Sequence, residues 1–195
     1  MGILARLFAL IGFIVVVGLI GSGIYFQKEI NAISQFDEKA ADVYLDMMAT
    51  VVKTGNAAEG TVWRVPLADG VSAGDAEEAM RAVANEHNIK NVGELPLSEQ
   101  VALMTGKPYR TLKIYMFCDP LTAVNMLDYS DAFSAYLPCR VAMVEDKQGK
   151  VWLYTLNMDL MIHGGTPLPP ALKVEAEKVK ETILAIMHRG AEGDF

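Results

Sequence analysis

Phe117-Cys118-Asp119-Pro120 and Leu137-Pro138-Cys139-Arg140 hold the two cysteines of the chain. Thiols in such frames have four uses. They form a disulfide in an oxidising compartment, work as a reducible pair, ligate a metal, or pack as small apolar groups beside Pro120 and Pro138. The spacing is not Cys-x-x-Cys, so it carries no redox signature of its own. What matters is how the flanking segments run. If they are antiparallel neighbours, the end of one lies beside the start of the other and the sulfurs approach; a parallel crossover separates them. Asp119 and Arg140 adjoin the thiols and can tune their ionisation. Asp119, just before Pro120, also suits a helix cap. Of the other acidic residues nearby, Asp128 and Asp131 read as solvated, and Glu145 closes the strand after Cys139.

A second group lies in Asn157–Gly165, where Met158, Met161 and His163 offer thioether and imidazole donors of the kind that suit copper(I). Copper is the one cofactor these residues suggest. Eleven methionines in 195 residues keep that thought open, but methionine also fills irregular cores, and the three residues form no recognised copper spacing. The chain contains no nucleophile elbow, phosphate loop, HExxH, zinc quartet or haem CxxCH. The expectation is therefore a binding or accessory module and not an enzyme. Cys118, Cys139, Asp119 and Arg140 are its ligand or redox candidates.

Several elements must position these residues. Leu7 to Phe26 runs twenty residues without a charge, about 30 Å as a helix and enough to span a bilayer. A cleaved signal peptide is the alternative, since Gly21-Ser22-Gly23 is a small-x-small site, although such apolar regions usually run about 7–15 residues. Arg6 before the segment, against Lys28 offset by Glu29, Asp37 and Glu38 after it, places the remainder outside the cytoplasm. The expected setting is a single-pass protein of the inner membrane with its C-terminal part facing the periplasm. The formal net charge is −7 and the only charge before Lys28 is Arg6, so the part beyond carries −8. That surface repels phosphate backbones and sets nucleic acid aside as a partner.

Residues 1–27 thus read as the membrane helix, 28–57 as an amphipathic stalk ended by Gly55-Asn56, and 58–195 as one folded domain. Within 27–54 the apolar positions recur three or four apart, predicting one one-sided helix that packs on the domain. Beyond it, strands are expected at Thr61–Leu67, Ile89–Leu95, Tyr109–Phe117, Arg140–Glu145 and Lys150–Leu156. Helices are expected at Asp75–His87 with Ser72 or Asp75 as cap, at Ser98–Met104, over Leu121–Tyr136 with a break near Ser130, and from Leu172 to the end. Asp146-Lys147-Gln148-Gly149 reads as a hairpin turn. Strand, helix, four strands and helix imply an α+β fold, an antiparallel sheet with helices on one face.

From Pro108 onward, the strand ending in Cys-Asp-Pro, the Ala- and Leu-rich helix, Leu-Pro-Cys-Arg-Val and the Glu-Asp hairpin resemble family 302 of the domains of unknown function. The resemblance extends more weakly back to about residue 60. It implies a TATA-binding-protein-like α+β fold, a tendency to form homodimers and no established activity. The membrane segment, the stalk and the stretch from Met158 to Pro170 depart from the family's pattern. The expected role is a small accessory subunit of a membrane-bound respiratory or sulfur-metabolising complex. Thiol or copper handling through Cys118 and Cys139, and carriage of a small apolar ligand, are the alternatives.

Overall fold

The computed structural model describes residues 2–195. Helix α1 (Ile3–Tyr25) buries none of its residues. Among the described residues it is the one helix long and apolar enough to cross a membrane, a property that a signal sequence shares. Helix α2 (Gln27–Ile33) follows, and α3 (Ala40–Thr54) begins only after a break. The single helix expected over 27–54 is therefore two. At the interruption Asp37 turns inward, its backbone N–H donating 2.8 Å to the distant Gly165 carbonyl while its carboxylate caps the Lys39 N–H at 3.0 Å. Gly55, at φ +67°, ends α3 as expected, and the Tyr44 hydroxyl donates 2.7 Å to the Gly164 carbonyl. The stalk thus docks on the domain through α3.

After a single turn, α4 (Ala57–Gly60), the domain runs β1 (Val62–Pro66), α5 (Ala73–Glu86), β2 (Lys90–Leu95), α6 (Leu97–Thr105), β3 (Leu112–Cys118) and α7 (Pro120–Tyr129). A 3-10 turn (Asp131–Tyr136), β4 (Cys139–Glu145), β5 (Val151–Leu156), α8 (Asp159–His163) and α9 (Pro170–Glu192) complete it. The five strands form one sheet in the order β1-β5-β4-β3-β2, every pair antiparallel. Alternation sorts the side chains. Tyr115, Phe117, Val141, Met143 and Leu153 are buried among α5 and α9 residues such as Met80, Val83, Ile183 and Ile186. Their strand neighbours Ile114, Met116, Ala142, Val144 and Tyr154 stay half-buried on the opposite face. The helices lie against one face, as the pattern implies.

The cap of α5 follows the sequence. Ser72 and Asp75 form a reciprocal capping box at α5, so both candidates serve. Ser98 does not cap α6; its hydroxyl donates to the Leu112 carbonyl at 3.3 Å. The break near Ser130 is present, because that residue is extended between α7 and the 3-10 turn. Gly190 lets α9 approach α5: a Cβ there would stand 2.5 Å from Met80 Cγ.

Candidate functional site

Strands β3 and β4 are antiparallel neighbours, with Phe117 paired opposite Cys139. Cys118, the next residue, ends β3 beside the start of β4, so the two cysteines lie at the same end of the strand pair. Both are free thiols and both are half-buried. The chain between them arches over the strand ends as α7 and the 3-10 turn. Pro120 starts α7 because the Asp119 carboxylate accepts from the Leu121 and Thr122 N–H groups at 3.1 and 3.4 Å. Asp119 is therefore a cap. On this arch the amphipathic spacing of α7 turns Met126 inward, where it is buried.

Under the arch lies a cavity of about 30 Å³ whose wall is almost entirely carbon and sulfur. Cys118, Cys139, Met126, Met158, Met161 and Phe133 line it, with α9 closing the floor. A second cavity, also about 30 Å³, shares Cys139, Met158 and Met161 and reaches Arg140 and Thr155. The two sequence groups, the cysteine frames and the methionines of 158–161, thus meet at one place.

Burial, then the neighbouring Cys118, pushes the Cys139 thiol up to about 11, with Arg140 pulling weakly the other way. Burial, then the charge of Asp119, also raises Cys118. Both groups are protonated at neutral pH, so neither is a ready nucleophile. Arg140 is exposed, and its carbonyl accepts from the Thr155 hydroxyl at 2.7 Å. Asp128 and Asp131 are exposed. Glu145 is taken up at the far end of the strand pair, accepting from the Thr111 N–H and hydroxyl at 3.0 and 3.1 Å.

His163 stands apart from the methionines. It is buried, with Nδ1 3.1 Å from an Asp37 oxygen and Nε2 2.8 Å from a Glu177 oxygen, so neither ring nitrogen is free for a soft metal beside Met158 and Met161. Lys173 donates to Asp37 at 2.6 Å; Lys180 bridges Asp159 at 3.0 Å and also pairs with Glu177. Burial raises the Asp37 carboxyl, but the Lys173 ammonium, the Lys39 N–H and the charge on His163 together bring it down to about 2. Sequence reasoning missed Asp37, Lys173 and Glu177, and it missed Met126. Only the last had a signal, its place on the apolar stripe of α7. Among the described residues no three His, Cys, Asp or Glu side chains stand together as metal ligands.

The family described as "Domain of unknown function DUF302" matches residues 63–190. The chain belongs to that family. Its DUF302 domain is similar in fold to a solved structure described as an uncharacterized conserved protein DUF302 from Bacillus stearothermophilus, with a TM-score of 0.52 and 16% identity. That similarity covers 97% of the Bacillus chain and 66% of this one. No curated protein matches. Residues 2–62, with α1 to α4, precede the DUF302 match.

Proposed function

We propose that the protein is a membrane-anchored, non-catalytic binding module whose ligand site is the sulfur-lined cavity of its DUF302 domain. The composition of that cavity carries the reading. Catalysis by acid and base needs convergent polar groups with displaced ionisation, whereas this wall presents carbon, sulfur and two protonated thiols. The size selects a small occupant. A carrier of a bulky apolar ligand needs about 300 Å³ or more, an order of magnitude above the space here.

In this proposal α1 is retained as a single-pass anchor in the inner membrane and the domain faces the periplasm. The charge pattern around the anchor and the docking of α3 on the domain support that placement. The module works as an accessory subunit of a membrane-bound complex, of which respiratory and sulfur-metabolising assemblies are the candidate kinds. Purification of the full chain in mild detergent, followed by identification of what accompanies it, tests this role. A stoichiometric membrane partner is expected. Recovery as a lone monomer sinks the accessory role, and protection of the domain from protease added to spheroplasts sinks its sidedness.

A further inference from the structure

We propose that the sulfur-lined cavity binds one copper(I) ion through Cys118 and Cys139, with Met158 and Met161 as thioether ligands. This deepens the binding-module reading and rests on it. Five sulfur-bearing side chains line a single cavity: Met126 of α7, and the four proposed ligands from the end of β3, the start of β4 and the Met158–Met161 turn. The lining includes one carboxylate, that of Asp119, and no imidazole. The Asp119 carboxylate caps α7, and His163 is held by Asp37 and Glu177.

The chemistry of the set selects the ion. Thiolate and thioether sulfurs are soft donors that favour copper(I), while magnesium, calcium and manganese demand oxygen ligands and retained waters. A volume of about 30 Å³ is enough for a single ion. Zinc, which gains little from thioethers, lacks its usual four thiolate and imidazole ligands. Binding involves no electron transfer. Copper(I) enters, each cysteine that ligates releases its thiol proton to solvent, and two copper–sulfur bonds replace two S–H bonds. The resulting bis-thiolate centre carries one negative charge. Arg140 beside Cys139 opposes that charge, while Asp119 beside Cys118 adds to it. Because protons leave, affinity rises with pH.

The test uses the full chain in detergent under anaerobic, reducing conditions, titrated with copper(I) held by a chromogenic chelator. One equivalent is expected to transfer from the chelator, with an all-sulfur coordination shell by X-ray absorption and tighter binding at pH 8 than at pH 6. C118S/C139S should abolish transfer. M161L, which keeps the side chain's volume, should weaken binding at least about tenfold with unchanged circular dichroism. No stoichiometric transfer to the folded wild type, or full transfer to C118S/C139S, overturns the proposal. A partner that co-purifies with a chain taking up no copper removes this inference alone; copper uptake by a lone monomer removes the accessory role alone.

Discussion

The sulfur-lined cavity and the His163 cluster both draw residues from α8 and from α9. In the cluster every buried polar atom has a partner: both ring nitrogens face carboxylates, and Asp37 accepts from Lys173 and from the Lys39 N–H. In the cavity the thiols face a wall of carbon and sulfur. The difference separates two kinds of buried chemistry. A saturated ionic cluster holds elements together and has nothing left to offer a ligand, because removing any member strands another. An unsaturated group of soft atoms contributes little to stability and remains available. Met161 and His163, two residues apart on the same short helix, belong to opposite kinds.

The largest expected effect breaks the saturated side. Asp37→Ala leaves the buried His163 and the Lys173 ammonium without their carboxylate, at a cost of roughly 3 kcal/mol. It should free α3 to exchange its amide hydrogens, while copper(I) affinity stays as in the wild type. Calorimetry and hydrogen exchange check this; unchanged stability would remove the claim that this cluster docks the stalk.

Acid addresses the same carboxylate more gently. Its folded value lies near 2 against an ordinary 3.8. The folded state therefore binds that proton less tightly, and the contribution is present above about pH 4 and lost as pH falls through 2. By linkage it amounts to about 2 kcal/mol. Denaturant melts at pH 5 and pH 2 should show the loss, and Asp37→Asn should show less of it.

Alkali probes the unsaturated side, with the opposite sign. Cys139 is raised from 9.0 to about 11, so its contribution is complete below pH 9 and fades as pH rises through 11. The loss relative to Cys139→Ala should reach roughly 2 kcal/mol or less. Parallel curves for the two proteins would show that the thiol is not buried as described. Smallest of all, Asp128→Asn and Asp131→Asn should each change stability by less than about 0.5 kcal/mol and leave copper(I) binding untouched. A larger effect on binding would extend the site beyond the sulfurs.

The strands were legible because each carries its own alternation and its own turn signals. Asp146 shows this well: its carboxylate accepts from the Gln148 and Lys150 N–H groups and the Trp152 indole, all within six residues. The meeting of the cysteines with Met158 and Met161 was only half legible. Local pattern placed each group at a strand end, but the sheet order that joins them is a long-range property. Asp37 was not legible at all. In Phe-Asp-Glu-Lys it looks like one more solvated charge, and its burial depends on His163, 126 positions later. The break in the stalk follows from that distant contact, so helical periodicity alone ran straight through it.

The pinning of Asp37 to Gly165 has a consequence for how the protein searches. Only the residues from Phe26 to Phe36 separate the end of α1 from the docked backbone, so even a fully stretched connection reaches about 40 Å. With α2 wound as a helix the leash is shorter still. A head held so close to the bilayer meets other membrane proteins by sideways diffusion within a thin layer, at an effective concentration far above that of the same head released into the bulk. A modest intrinsic affinity for a neighbour is then enough for lasting contact.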